Sequence, residues 1–225
     1  MRTEQRRFRS KEGLSLRADV AGPAGAPTVF LLHGGGQTRH SWSAAMEKLV
    51  HSGYRVVNFD ARGHGESDWA SDGNYSLTAM ASDLECVIAP FPRPRAFVGA
   101  SMGGMTSFYT IGTQSTPVAD ALVMVDIVLR PATAGSAKIQ AFMTARPDGF
   151  ESIEEAADAI ARYNPTRPRP ADISGLHKNL RYRDGRYHWH WDPPFMDMTP
   201  TAEPPPPLAN LADVSANVTL PTLLV

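Results

Sequence analysis

The chain has 225 residues, of which 42% are hydrophobic and 20% charged, and its formal net charge is −1. This balance is typical of a globular domain and gives no electrostatic reason to expect nucleic acid or a membrane surface as a partner. A single cysteine excludes an intramolecular disulfide, and no apolar run is long enough for a membrane span or a secretory signal, so we expect a cytoplasmic protein.

The first half of the chain alternates strands with helices. Short apolar runs predict strands at residues 6–10, 14–20, 28–32, 55–59, 95–98 and 121–125. Apolar residues at helical spacing predict a helix after Trp42, a second one capped by Ser76, and a third one that ends near Gly112. This alternation predicts a mostly parallel sheet with flanking helices.

The pattern changes after residue 126. A capping box of Ser152 and Glu155 opens a helix, and residues 179–191 predict a hairpin that turns at Asp184-Gly185. Residues 200–207 are rich in proline, and residues 220–225 predict a further buried strand. We therefore expect a core at 1–129, an inserted cap with a proline-rich connector at 130–215, and a returning core strand at 216–225.

The strongest chemical signal is Gly99-Ala100-Ser101-Met102-Gly103, a G-x-S-x-G pattern between a predicted strand and a predicted helix. Small residues permit a sharp turn that exposes the serine hydroxyl, and the helix N-terminus favours negative charge there. A chance glycine-serine turn is the alternative, and the strand-helix context argues against it.

A second signal is His33-Gly34-Gly35-Gly36, which follows another predicted strand. Glycines leave backbone N–H groups uncovered, so an oxyanion could approach them. An ordinary glycine loop is the alternative. A phosphate cradle is disfavoured because no Gly-Lys-Ser/Thr follows, and without G-x-G-x-x-G a dinucleotide site has no support.

Polar residues also fill the segment 60–68, where His64, Glu66 and Asp68 are candidates for a metal site. We favour a structural turn and expect no metal, since no second cluster of histidines or cysteines accompanies it. For His188 and His190 we expect an exposed hairpin face or the polar lining of a pocket.

Taken together, HGGGQTRHSW, DARGHGESDW and VGASMGG resemble the α/β-hydrolase superfamily. The closer resemblance is to the branch of cofactor-free, haloperoxidase-like or epoxide-hydrolase-like serine hydrolases. The three motifs occur in this order between residues 31 and 104. The resemblance implies an α/β-hydrolase fold with an inserted cap, a small-molecule substrate and no cofactor.

The resemblance also implies roles for single residues. Ser101 is the expected nucleophile, and it argues against true epoxide hydrolases and haloalkane dehalogenases, which use an aspartate there. The N–H groups of Met102 and Gly35 are the expected oxyanion hole, with Gly36 as the weaker alternative to Gly35. His33 is expected to hold its loop and not to act as the base.

In this family the acid and the histidine follow the nucleophile. No histidine follows His190, so we expect a C-terminally truncated chain that lacks the last strand and helix and is nearly inactive. Asp126 is a possible alternative acid, although a structural role is favoured for it. A cap histidine that reaches Ser101 is disfavoured.

Three functions remain open. The first is hydrolysis of a small, largely apolar ester or related acyl compound through an acyl-serine intermediate, with Trp189 and Trp191 covering the pocket. The second is a non-catalytic module that binds a small ligand. The third is a cofactor-free perhydrolase, which the sequence cannot separate from an esterase because the same triad serves both reactions. The sequence predicts no oligomeric state.

Overall fold

The computed structural model of the protein describes residues 2–127, 133–196 and 209–225. Its strands are β1 Thr3–Arg9, β2 Ser15–Ala21, β3 Thr28–Leu32, β4 Arg55–Phe59, β5 Arg95–Ala100, β6 Ala121–Val125, β7 Leu180–Arg183, β8 Arg186–Trp189 and β9 Thr222–Leu224. Its α-helices are α1 Ser43–His51, α2 Leu77–Ile88, α3 Met102–Thr113, α4 Thr133–Thr144, α5 Ile153–Tyr163 and α6 Ala209–Val214. Across these ranges, no helix combines the length and the hydropathy that a transmembrane segment needs.

Seven strands form one sheet in the order β1-β2-β4-β3-β5-β6-β9. The pairs β1–β2 and β2–β4 are antiparallel, and all other neighbours in this sheet are parallel. The prediction of a mostly parallel sheet with flanking helices, the α/β-hydrolase fold, is therefore confirmed.

Strand β3 lies at the centre of the sheet, and all five of its residues are buried. Alternate side chains point to opposite faces. Phe30 and Leu32 belong to the large core cluster that α2 and α3 cover, whereas Val29 and Leu31 pack with Met46 of α1. A continuous apolar run is what a strand covered on both faces requires.

Serine side chains cap two of the helices, as the sequence predicted. Ser76 Oγ accepts a hydrogen bond of 3.2 Å from the N–H of Ala79, at the start of α2. Ser152 Oγ accepts one of 3.2 Å from the N–H of Glu155, at the start of α5. The Glu155 carboxylate accepts from the N–H of Glu151 at 2.8 Å, one residue before the usual partner in a capping box.

A separate small core lies in residues 133–196. Phe150, Ala156 and Leu180 are its buried members, with Trp189 packed against them. The antiparallel hairpin β7–β8 turns at Asp184 and Gly185, whose φ angles of 51° and 78° fit a two-residue primed turn.

Helix α6 packs on α3, and Leu211 is fully buried in the large core cluster. This places α6 with the sheet, although the sequence assigned residues 130–215 to the cap. The proline-rich connector at 200–207 and the expected boundary at 129–130 lie outside the described residues. Strand β9 is shorter than the predicted 220–225, because only residues 222–224 pair with β6.

Candidate active site

Ser101 lies in a strained turn between β5 and α3. Its backbone angles are φ 44° and ψ −112°, a region that residues with a side chain rarely adopt. The N–H of Ser101 donates to the carbonyl of Val125 in β6, and its carbonyl accepts from the N–H of Met105 in α3, both at 2.9 Å. The turn is thus held on both sides, and Ser101 is only half-buried.

The two glycines of the turn are needed because backbones come close together. A Cβ atom on Gly99 would lie 2.4 Å from the carbonyl of Gly103. A Cβ atom on Gly103 would lie 2.4 Å from the carbonyl oxygen of Leu32, in β3. Helix α3 therefore starts directly against β3 and β5, as a nucleophile elbow requires.

The loop of residues 33–36, the glycine loop, runs beside this turn because β3 and β5 are neighbours in register, with Leu32 opposite Gly99. A Cβ atom on Gly34 would lie 3.6 Å from the carbonyl oxygen of Ala100. The sheet therefore brings together the two segments that the sequence assigned to the nucleophile and the oxyanion hole.

The N–H groups of the glycine loop differ in whether they already donate a hydrogen bond. The N–H of Gly34 donates to Gln37 Oε1 at 3.0 Å, and the N–H of Gly36 donates to His64 Nε2 at 3.1 Å. Within the described part of the chain, the N–H of Gly35 has no hydrogen-bond partner. Met102 is the first residue of α3, where an N–H has no partner within its own helix.

His33 holds the loop through both ring nitrogens. Its Nε2 accepts from the N–H of Ala61 at 3.0 Å, so Nδ1 carries the proton and donates to the carbonyl of Gly34 at 2.8 Å. Burial lowers the pKa of the His33 imidazole, which favours this neutral form.

Two further histidines contact Gly36 from different segments. His64 accepts the Gly36 N–H at Nε2, so its Nδ1–H donates to the carbonyl of Arg62 at 2.9 Å. His190 Nδ1 accepts from the N–H of Gly65 at 2.8 Å, and its Nε2–H donates to the carbonyl of Gly36 at 3.1 Å. Burial lowers the pKa of His64 well below its usual value and that of His190 to about 4.

The position of His190 corrects one expectation. Strand β8 ends at Trp189, so the alternation of faces that predicted an exposed or pocket-lining His190 stops before it. The residue is 2% exposed, and its side chain binds backbone groups of two loops. His188, on the strand, is half-buried.

Residues 60–68 form a tightly bonded turn. The Asp60 carboxylate accepts from the N–H groups of Arg39 and Glu66, and a Cβ atom on Gly65 would lie 2.3 Å from it. Asp68 accepts from the N–H of Ser15 at 2.8 Å. The side chains of His64, Glu66 and Asp68 are thus bonded to the protein, and the described residues hold no cluster of three potential metal ligands.

Asp126 lies at the end of β6, one residue after the carbonyl that binds the Ser101 N–H. Its φ is 52°, the residue is exposed, and its N–H donates to the carbonyl of Val225 at 2.9 Å. Among the hydrogen bonds of the described residues, none joins the Asp126 carboxylate to a histidine.

Apolar side chains from residues 133–196 cover the glycine loop. A Cβ atom on Gly35 would lie 3.3 Å from the ring of Phe195. One on Gly36 would lie 3.0 Å from Met143 Cε and 3.3 Å from the ring of Trp191. The Trp191 ring stacks on Trp189, with centroids 4.9 Å apart.

The fold and this arrangement agree with a family comparison. A family model described as alpha/beta hydrolase fold matches residues 27–185. The chain belongs to the α/β-hydrolase family.

Curated relatives of this α/β-hydrolase include esterases. Protein phosphatase methylesterase 1 of Bos taurus is 32% identical over 137 residues, which cover 59% of this chain and 36% of that protein. An esterase of Mycobacterium tuberculosis is 30% identical over 179 residues, which cover 74% of this chain and 57% of that protein. The chain thus spans between about one third and just over half the length of these relatives.

Two solved structures with the same fold superpose on nearly the whole of this α/β-hydrolase chain. An E-2-(acetamidomethylene)succinate hydrolase superposes with a TM-score of 0.82 at 21% identity, over 99% of this chain and 80% of that one. The M. tuberculosis esterase superposes with a TM-score of 0.69 at 27% identity, over 100% of this chain and 73% of that one. At 21% identity, the similarity to the succinate hydrolase is evidence for the fold only.

Sequence reasoning missed the roles of three residues near the candidate site. Phe195 belongs to no motif, and only the folding of the chain brings it to Gly35. His64 and His190 were named from the sequence, but as a metal-site candidate and as part of an exposed or pocket-lining hairpin face. The sequence does not show that both rings bind the same glycine.

Proposed function

We propose that the full-length protein hydrolyses small, largely apolar carboxylic esters through an acyl-serine intermediate at Ser101. Ser101 Oγ attacks the ester carbonyl and its proton passes to a base, after which the alcohol leaves with a proton. Water then attacks the acyl-serine and releases the acid. The observation that carries this proposal is the strained turn at Ser101, which lies next to the glycine loop. In that loop, the N–H of Gly35 has no hydrogen-bond partner among the described residues.

The oxyanion hole consists of the N–H groups of Gly35 and Met102. The alternative donor Gly36 is disfavoured because its N–H already donates to His64. Each donor of this kind contributes about 10²-fold to 10³-fold to turnover, because it binds charge that develops in the transition state.

The base and the acid are expected from residues beyond the 225 of this chain. His33, His64 and His190 each use both ring nitrogens for backbone hydrogen bonds, so none is free to take the Ser101 proton. Residues 1–225 alone should then keep at most the oxyanion-hole contribution, roughly 10³-fold to 10⁴-fold over water. Asp126 is the acid only if a histidine outside this chain reaches it.

The substrate class follows from the cover of the glycine loop. Met143, Trp191 and Phe195 present apolar atoms to Gly35 and Gly36, which favours an apolar acyl or alkyl group. The names of the relatives, a methylesterase and an esterase, support an ester as the scissile bond. Residues 133–196 act as the cap in this proposal, and the core resumes at α6.

The test is ester hydrolysis and fluorophosphonate labelling of the full-length protein. We expect turnover of short p-nitrophenyl esters and labelling at Ser101, both lost in Ser101→Ala and retained in Ser41→Ala, an exposed serine. Hydrolysis that survives Ser101→Ala contradicts the proposal. Absent labelling combined with a higher melting temperature in the presence of ester would replace it by the ligand-binding function. Faster acyl transfer to peroxide than to water would indicate a perhydrolase.

A further inference from the structure

We infer that His64 and His190 are positioning residues that clamp Gly36 from two sides and so aim the N–H of Gly35 at the reacting carbonyl. The inference rests on the proposed function, because it assigns a role in the oxyanion hole. Neither ring touches the substrate. Each acts through the backbone of the glycine loop.

The clamp engages both polar groups of Gly36. Its N–H, which belongs to the peptide unit between Gly35 and Gly36, donates to His64 Nε2 at 3.1 Å. Its carbonyl, in the next peptide unit, accepts from His190 Nε2–H at 3.1 Å. The two bonds fix the planes of consecutive peptide units. The first of these planes adjoins the peptide unit between Gly34 and Gly35, which carries the Gly35 N–H and whose carbonyl accepts from His33. Together the bonds restrict the φ and ψ angles of Gly35.

The loop needs such support because it consists of glycines. Gly36 has φ 72°, in the left-handed region, and an unsupported glycine moves readily between this region and others. An oxyanion hole works only when its donors already point at the developing charge. On the other side, the Gly34 N–H is held by Gln37 Oε1, so the free amide of Gly35 lies between two fixed ones.

Both rings are themselves fixed. The carbonyl of Arg62 orients His64 through Nδ1–H, and the Arg62 guanidinium binds the Asp83 carboxylate in α2 at 2.6 and 2.8 Å. The ring of Phe195 packs edge-on against His64, with centroids 4.5 Å apart. The N–H of Gly65 holds His190 through Nδ1 at 2.8 Å.

The clamp joins the cap to the oxyanion hole. His190 belongs to the cap segment, and the next residues dock on the core, where the N–H of Asp192 donates to the carbonyl of Gly63 at 2.9 Å. Tyr75 donates its hydroxyl to the Asp192 carboxylate. The clamp is therefore complete only when the cap segment contacts the core.

The test compares a glutamine and a leucine variant at each histidine in the full-length protein. The glutamine side chain brings an amide to the position of the imidazole Nε2. In His64→Gln its oxygen can accept from the Gly36 N–H, and in His190→Gln its NH₂ group can donate to the Gly36 carbonyl. Leucine keeps the bulk and removes the bond. We expect His64→Leu and His190→Leu to lower kcat for a short p-nitrophenyl ester by about 10-fold to 100-fold, with KM changed less than about threefold.

The glutamine variants should keep kcat within about fivefold of the parent, and His51→Gln, at an exposed histidine, should leave it unchanged. A leucine variant that folds and keeps the parent kcat overturns the inference, as do glutamine and leucine variants that lose kcat equally. If the leucine variant of one histidine does not fold, the glutamine and leucine variants of the other histidine test the inference. A parent protein that neither labels nor turns over contradicts the proposed function, whereas an active parent with unimpaired leucine variants contradicts the clamp alone.

Discussion

At the scale of single residues, the site depends on the close approach of backbones around Ser101. Gly99 and Gly103 lie where a Cβ atom would clash with a carbonyl, and Ser101 has a φ of 44°. Strain of this kind persists only where the surroundings enforce it. The hydrogen bonds of Ser101 to Val125 and Met105 hold the turn in this conformation.

Gly103→Ala should therefore lower the free energy of unfolding by about 3 kcal/mol, because its Cβ atom meets the backbone of β3 with no flexible side chain to give way. Gly175→Ala is the matched control, since a Cβ atom there meets nothing within 4 Å. Chemical denaturation of both variants measures the difference. Equal effects of the two substitutions would contradict the packing described for α3.

The residues of the site differ in how far the sequence predicts them. Ser101 is predicted from a short local motif, and the roles of Met102 and Gly35 are what the family resemblance implies for two short motifs; all three roles stay predictions. The choice of Gly35 over Gly36 is favoured by the bond between Gly36 and His64, which joins segments 28 residues apart. His190 was misplaced for a related reason: its partners are far away in the chain.

At the scale of elements, predicted and observed bounds agree for three of the five inner strands of the sheet. Strands β3, β4 and β6 match the predicted ranges, and each is followed by a polar residue. Agreement is poorer for β1 and β9 at the edges of the sheet. Edge strands have one neighbour, so pairing and not burial sets their ends.

A buried ion pair joins the turn at residues 60–68 to α2. Asp83→Ala should lower the free energy of unfolding by about 3 kcal/mol, because it leaves the buried Arg62 guanidinium without its main partner. Asp158→Ala breaks the exposed pair with Arg169 and should cost less than about 1 kcal/mol. Urea denaturation measures the free energy of unfolding of both variants. A smaller loss of that free energy for Asp83→Ala than for Asp158→Ala would contradict the role given to Arg62.

At the scale of the whole molecule, the alternation of strands and helices was enough to predict the sheet. The position of residues 133–196 over the glycine loop was not predictable in the same way, because no local pattern states where an inserted segment docks. Its contacts come from scattered side chains such as Met143 and Phe195.

The three buried histidines make the stability of the whole molecule depend on pH. Each of these imidazoles has a pKa below 6.5 in the folded protein, and the pKa of His190 is about 4. Between pH 6.5 and pH 4 the unfolded chain therefore binds more protons than the folded protein. Stability should be full above about pH 6.5 and fall as the pH is lowered towards 4, by about 1.4 kcal/mol per unit for each histidine that titrates. His190→Gln should reduce this slope. A melting temperature that stays constant from pH 7 to pH 5 would contradict the neutral, buried state of these rings.

The assignment of Ser101 and its oxyanion hole is best tested by a crystal structure of the full-length protein after reaction with a small alkyl fluorophosphonate. We predict a phosphorus atom bonded to Ser101 Oγ, with one phosphonyl oxygen within about 3 Å of the amide nitrogens of Gly35 and Met102. We also predict that the bonds from His64 and His190 to Gly36 are retained. Attachment at another residue, or an oxygen that points away from both amides, would contradict the assignment.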